Sequence, residues 1–381
     1  MNDLLRFLTA GESHGEGLVG IIEGLPSGLA VSERAINLML KRRQGGHGRG
    51  GRMRIETDRV RILAGLYKGM TVGSPLAIFI ENRDWANWKG KRRPKGRVPR
   101  PGHADLAGVL KYGFDDIQRV IERASARETA MRTAVGAVAK HLLAEFGIKV
   151  IGHVTAIGST SSSSTPSIAR LERAVQKSPV FCADPAASRS MVEEIDRAGS
   201  AGETLGGVFE ILAAGVTPGL GAYAHWDRRL DGRLAGAVLS IPSVKGMEIG
   251  DAALNSRRPG SRAHDEIVAR GRKVFRRTNR AGGIEGGVSN GEVIVVRGFA
   301  KPIPTLGEPL DSIDLGSMKR AKAPLVRSDV CVVPAISVIG EALVAWEIAA
   351  AFAEKFGGDS MEGLSANYRA YRRRLRKAAG K

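Results

Sequence analysis

Arg123 to Gly147, RASARETAMRTAVGAVAKHLLAEFG, is the stretch that decides the fold. Ser125 with Glu128 three residues on reads as a capping box: the hydroxyl accepts from one free backbone N–H and the carboxylate returns to another. Gly147 is the expected residue past the helix end, where the chain must turn left-handed. Between them Ala126, Ala130, Ala134, Gly136, Ala137 and Ala139 carry no bulk, so other elements can approach closely. The pattern predicts one long core helix. Its N-terminus, flanked by Arg123, Arg127 and Arg132, suits an anion, because free N–H groups and the helix dipole both favour negative charge.

Working outward, 381 residues suffice for one large core or two fused ones. Hydrophobic residues make up 43% and charged residues 25%, the balance of a globular protein. No uninterrupted apolar run would span a bilayer, and the opening MNDLLRFLTAGES turns polar too soon for a signal peptide. Two cysteines, Cys182 and Cys331, argue against a disulfide framework or a cysteine zinc site and fit a reducing cytoplasm. The net charge of +19 demands an anionic partner, either nucleic acid or a small ligand with several negative charges. KGKRRPKGRVPR (89–100) and YRRRLRK (371–377) read as solvated basic surface. Arginines isolated among glycines are the more telling ones.

Strands are expected at Leu5–Ala10, Leu18–Glu23, Val60–Leu66, Leu76–Ile80, Lys149–Ile157, Gly206–Leu212 and Val293–Arg297. Ser32 caps a helix carrying Ile36, Met39 and Leu40 that ends near Arg42-Arg43. Further helices are expected at Ile168–Gln176, inside a Ser/Ala/Pro-rich excursion over 155–200, and at about Asp227–Leu239. The last long helix is expected to open at RSDVC (Arg327–Cys331) and to end at Phe356-Gly357-Gly358. GGHGRGGR (45–52) contains a formal GxGxxG, but it follows a helix rather than a strand, so a dinucleotide fingerprint is rejected. A loop delivering Arg49 to an anion is the better use of those glycines.

A weak internal repeat emerges. Gly65-Leu66, Gly69-Met70-Thr71 and Gly73 align without gaps on Gly283-Ile284, Gly287-Val288-Ser289 and Gly291. Gly24-Leu25 and Gly28-Leu29 resemble Gly215-Val216 and Gly219-Leu220, each leading into a helix. Arg123, Ser125 and Gly136 share their spacing with Arg327, Asp329 and Gly340. The expectation is pseudo-repeats at about 17–147 and 207–357, with Ser125 and Asp329 equivalent across one site.

His14 in AGESHG and His103 in RPGHAD are suited by type to proton transfer. No HExxH, P-loop or GxSxG pattern occurs, so no metal is expected, and nucleotide hydrolysis and serine-hydrolase chemistry lack support. Asp329, beside Arg327 at an expected helix start, would be ionised and held in place. Arg43, Arg49, Arg100, Arg123, Arg127 and Arg327 all lie in small-residue turns or at helix ends, positions suited to bidentate grip on phosphate or carboxylate.

Taken in order, AGESHG, RRQGGHGRGGRM, RPGHAD, KYGF, RASARETAMR, GETLGG, VKGMEIGD, GSRAHDE, NRAGGIEGG, SNG, KPIPT, RSDVC and EKFGGDS closely resemble the chorismate synthase family, over almost the whole chain. The resemblance implies a single α+β catalytic domain over 1–381, a sandwich of antiparallel sheets around a central helical layer, assembled as a cytoplasmic homotetramer. It implies a lyase that converts 5-enolpyruvylshikimate 3-phosphate to chorismate and phosphate by 1,4-anti elimination, with reduced FMN (FMNH2) as cofactor. By the same resemblance His14 acts on the departing phosphate, His103 beside the flavin ring and Asp329 in proton movement, with Ser13 and Ser125 in support. Arg43, Arg49, Arg100, Arg127 and Arg327 hold substrate anions, Arg43 and Arg49 falling also where some members contact NADPH. Flavin contacts fall on Arg123, Ala124, Ser125, Pro242, Ser243, Gly286, Lys301, Pro302, Ile303, Pro304, Thr305 and Arg327. Pro242-Ser243 departs from the family's usual amide residue and alanine, and a proline has no N–H to give. NADPH and an external flavin reductase are the two sources of reduction left open. The alternative from another class is a basic nucleic-acid-binding protein; no recognition motif supports it, and 5% aromatic residues leave few stacking platforms.

Overall fold

The computed structural model describes residues 5–50, 57–91, 94–162, 167–271, 273–325 and 328–378. Arg327, and the Gly51–Met53 end of the glycine-rich motif, lie outside them. Strands β1 (Arg6–Ala10), β2 (Gly17–Glu23), β3 (Val60–Ala64) and β4 (Leu76–Glu81) form one antiparallel sheet in the order β1-β2-β4-β3. Strands β5 (Lys149–Ile157), β6 (Gly207–Ala214), β7 (Val244–Ile249) and β8 (Ile294–Ala300) form a second in the order β5-β6-β8-β7, with Thr160–Ser161 added at the β5 edge. The two orders are the same.

Between the sheets lie α1 (Glu33–Gln44), α3 (Thr129–Ala144), α6 (Leu230–Leu239) and α7 (Val333–Phe356), with α2 (Gln118–Ala124) entering α3. Helices α4 (Ile168–Lys177) and α5 (Pro185–Ser200) belong to the excursion, and α8 (Met361–Ala378) closes the chain. The α+β sandwich expected from the sequence is therefore present. The α7 helix is long and apolar enough to cross a membrane, but 94% of that apolar stretch is buried inside the fold, which marks a core helix.

The opening stretch holds two corrections. It is not a single helix: α2 ends at Ala124, Ser125 is extended, Ala126–Glu128 form a 3₁₀ turn, and only then does α3 begin. Ser125 does cap that turn, accepting from the Arg127 N–H at 3.3 Å. Glu128 does not complete the box. Its carboxylate pairs with Arg132 one turn on at 2.7 Å, the i,i+4 geometry of a helix face. Gly147 turns left-handed at φ +73°, as expected.

The small residues explain how close the layers sit. A Cβ on Gly136 of α3 would stand 2.4 Å from the Ala342 carbonyl oxygen of α7. One on Gly152 of β5 would stand 2.2 Å from the Ser337 oxygen of α7. Both contacts are backbone against backbone, so no side chain can yield.

One buried ion cluster ties these layers. Glu341 of α7 accepts both arms of the Arg42 fork at 2.9 Å, the Gly152 N–H at 2.8 Å, and Lys140. Burial opposes its ionisation, but Lys140 and Arg42 outweigh burial and pull its pKa from 4.5 to about 2. An unfolded chain would therefore take up this proton first as pH falls. The stabilisation is full above about pH 4.5 and lost as pH drops through about 2. Urea midpoints should accordingly fall between pH 6 and pH 3, and Glu341→Gln should flatten that slope; an unchanged slope in the variant contradicts the assignment.

Candidate active site

The site forms where α1, the 3₁₀ turn before α3 and the approach to α7 converge. Three arginines from two separate segments, Arg43, Arg49 and Arg127, line a cavity of about 190 Å³ together with Ser125, Ala126, Thr129, Pro242, Ser243, Ile303 and Asp329. Its opposite wall is apolar: Ile241, Val332, Ala335, Ile336 and Ile339. A second space of about 830 Å³ shares Arg49 and runs along Gly46, Gly48 and Gly50.

Each arginine is aimed by fixed partners. Arg43 gives its Nε and one terminal nitrogen to the Thr129 hydroxyl (3.1 and 2.9 Å), and that nitrogen also to the Ala126 carbonyl (2.9 Å). Arg127 donates to the Asn82 side-chain oxygen at 2.7 Å and to the Glu81 carbonyl at 3.2 Å. Both guanidiniums share the buried carboxylate of Asp58. Arg49 reaches Asp329 at 2.8 Å, and Asp329 also accepts the Gly50 N–H at 2.6 Å. Asp329 is thus not a helix cap: α7 starts at Val333, and the aspartate is held by the glycine-rich loop instead.

The two histidines flank this cavity without lining it. Ser13 donates from its Oγ to the Ser125 Oγ at 3.1 Å, which puts His14 one residue from the cavity rim. Glu122 accepts the His14 N–H at 2.8 Å, faces its Nδ1 at 3.1 Å, and takes a further bond from Gln118. Burial opposes ionisation of Glu122, yet the bonds from His14 and Gln118 hold its pKa near 2, down from 4.5. The ring edge also meets Trp88 at 5.1 Å. Asn82 binds this loop through the Glu12 and Gly15 carbonyls, at 3.0 and 2.8 Å, and so links it to Arg127.

His103 repeats the arrangement. Its Nδ1 lies 2.6 Å from Asp105, a buried carboxylate that also receives the Arg100 fork at 2.8 and 3.0 Å. Burial works against that charge, but His103 and Arg100 hold Asp105 well below the usual carboxylate range. In both loops a carboxylate stands at Nδ1, and in the second the Arg100 guanidinium also lies 3.1 Å from the His103 Nδ1 and 3.3 Å from its Nε2. The His103 loop runs close to the Lys301–Thr305 segment: a Cβ on Gly102 would stand 3.5 Å from the Pro304 Cβ and 3.7 Å from the Lys301 Nζ. Arg100 spends its fork on Asp105 and does not line the cavity.

The remaining expected residues divide. The Lys301 N–H donates to the Ser243 carbonyl at 2.9 Å, which seats the segment Lys301, Pro302, Ile303 beside Pro242-Ser243, and Thr204 fixes the Ile303 carbonyl at 2.8 Å. Thr305 bonds Ser328. Arg123 binds Thr9 and Gly11 carbonyls at 2.9 and 3.1 Å and so secures the loop that carries Ser13 and His14; Ala124 ends α2. Gly286 sits in a hairpin nearest Tyr223, away from the cavity lining. Sequence reasoning missed Asp58, Asn82, Glu122 and Thr129. No local pattern marks them, because each acts on a partner distant in the chain.

A reduced flavin with a phosphorylated, carboxylated substrate would need cations facing a flat apolar wall. The donor set offers that. The inner cavity alone falls below the usual range for organic ligands, roughly 300–1,000 Å³, and the adjoining space past Arg49 enlarges it.

The sequence profile of a family described as chorismate synthase matches residues 5–353. The chorismate synthase of Desulforudis audaxviator is 55% identical over 385 residues, covering 98% of each chain. That of Moorella thermoacetica is 54% identical over 381 residues, covering 98% of this chain and 99% of its own. A crystal structure of a chorismate synthase, 41% identical, covers 98% of both chains with a TM-score of 0.81.

Proposed function

The chain belongs to the chorismate synthase family, and from that premise we propose how the arginine-lined cavity carries the reaction. The enzyme is a lyase of the shikimate pathway, converting 5-enolpyruvylshikimate 3-phosphate to chorismate and phosphate on the way to aromatic amino acids. The family uses a reduced flavin; we take it to be FMN. The nucleic-acid reading of the +19 charge is not favoured.

The observation that carries the proposal is the meeting of Arg43, Arg49 and Arg127 opposite the Ile241–Ile339 wall. The guanidiniums would hold the substrate's phosphate and carboxylates and stabilise negative charge as phosphate departs in a 1,4-anti elimination. Reduced flavin, when bound, supplies electron density to the allylic system. Ser125, Pro242, Ser243 and Ile303 would hold it with Lys301 to Thr305, and Pro242 contributes shape rather than a hydrogen bond. His14, oriented by Glu122, would give a proton to the leaving phosphate. His103, oriented by Asp105, and Asp329, oriented by Arg49 and Gly50, would move protons beside the flavin.

Glu122 offers a local test. Glu122→Gln keeps the shape but removes the charge facing His14, and should lower kcat about 10- to 100-fold, the range for a hydrogen bond to a charged group. The pH profile of kcat should move while flavin affinity stays. Unaltered kcat and profile would contradict the orienting role.

Four further readings belong with this one. The homotetramer is supported by the outer face of the first sheet, where Leu8, Ile21 and Leu63 are exposed and a subunit contact would cover them. Cytoplasmic location follows from the same family reading, with NADPH or an external flavin reductase as the source of reduction. The internal duplication is supported by the matched sheet orders and by matched left-handed turns: Gly24 and Gly28 with Gly215 and Gly219, then Gly65, Gly69 and Gly73 with Gly283, Gly287 and Gly291. In that scheme α3 and α7 are equivalent helices, and Ser125 and Asp329 both stand at the approach to their helix.

A further inference from the structure

The excursion over residues 155–200 builds a feature that the catalytic reading leaves unused. Leu171 and Val175 of α4 pack on Ile151 and Leu212 of the second sheet. Between α4 and α5 opens a cavity of about 590 Å³. Ala174, Pro179, Cys182 and Ala183 give it an apolar floor, and Arg170, Arg173, Lys177 and Arg189 form its rim.

The rim is one-sided in charge. Arg170, Arg173 and Lys177 recur three and four residues apart, so they share one face of α4 and repel one another. Arg189 approaches from α5. No acidic side chain lines the cavity among the described residues. Asp184, next to the cavity in sequence, caps α5 by accepting from the Ala186 and Ala187 N–H groups. The cavity is far larger than one inorganic phosphate needs and falls within the range that holds organic ligands. Guanidinium forks match phosphate oxygens, and the apolar floor suits a ring.

We propose that this groove is a second anion site, binding a small organic molecule that carries phosphate. It adjoins the loop that carries Arg49, which α5 also meets where Asp196 faces the His47 Nε2 at 2.6 Å. The Pro179 carbonyl accepts the His47 N–H at 2.7 Å, and His47 belongs to the glycine-rich loop that delivers Arg49. A ligand seated here rests on the wall that braces that loop.

Calorimetric titration of the full chain with metal-free ADP, inorganic phosphate and the enolpyruvyl substrate separates the sources. ADP should bind once per chain, at least tenfold more tightly than phosphate, and weaken as salt rises. The double variant Arg170→Gln/Arg173→Gln should lose ADP affinity at least tenfold while turnover and circular dichroism stay unchanged. Arg189→Gln, on the other wall, should weaken it as well. Absence of binding here by both ADP and the enolpyruvyl substrate, affinity for ADP no tighter than for phosphate, or wild-type affinity in these variants overturns the proposal. Should the enolpyruvyl substrate bind a second time per chain, and the same variants abolish only that event, the source is the substrate and the site stands.

Discussion

Asp58→Asn is expected to destabilise the enzyme by about 3–5 kcal/mol, the cost of removing one partner from a buried ion pair. The carboxylate sits between Arg43 and Arg127, both themselves buried, and its own N–H is fixed by the Gln44 side chain at 3.0 Å. Asparagine preserves the shape but leaves the two guanidiniums facing each other across a neutral amide. In a chain of this length the loss should lower Tm by roughly 5 °C or more. Because those guanidiniums also line the cavity, KM for the phosphorylated substrate should rise with it. Wild-type Tm and KM in Asp58→Asn would show that the pair is not organised around this carboxylate.

His14→Ala and His103→Ala are expected to lower kcat by about 10²–10⁴-fold each, the usual contribution of a positioned acid or base. Flavin affinity should stay within about tenfold, since neither ring lines the inner cavity and removal of a proton-transfer group leaves binding contacts in place. Each histidine is locked by a carboxylate at Nδ1, Glu122 at 3.1 Å and Asp105 at 2.6 Å. The two variants should therefore differ from Glu122→Gln in depth rather than in kind. Near-normal turnover in both alanine variants would remove them from the reaction.

Much of the fold was legible locally. Lys149–Ile157 is a strand with the bounds its β-branched residues predict, and α7 ends at Phe356 as its glycines require. The capping role of Ser125 was legible, but the α2 helix that runs up to it and the 3₁₀ turn that follows were not. That break depends on Ser13 and on the Glu122 carbonyl, which accepts the Ser13 N–H at 2.8 Å from 109 positions earlier in the chain. Glycines mark the loop that carries Arg49, so Arg49 and Asp329 could be singled out from sequence. Nothing local marks Asp58 or Asn82; an isolated acid and an isolated amide acquire meaning only when folding brings Arg43 and Arg127 to them. Some arginines are spent internally, which leaves the +19 excess to the cavity and the surface. Arg42, Arg297 and Arg233 neutralise Glu341, Glu210 and Glu347 inside or along the sandwich rather than meeting a partner. The excursion gave the least, since its α5 helix was not anticipated at all.

The central claim is that the arginine-lined cavity turns over the enolpyruvyl substrate with reduced flavin. An anaerobic assay of the purified chain with dithionite-reduced FMN and 5-enolpyruvylshikimate 3-phosphate, run beside Arg49→Ala, tests it most directly. The account predicts equal release of phosphate and chorismate by the wild type, no net oxidation of the flavin, and strong loss in Arg49→Ala. No phosphate released by the wild type, or full activity in the variant, would contradict it.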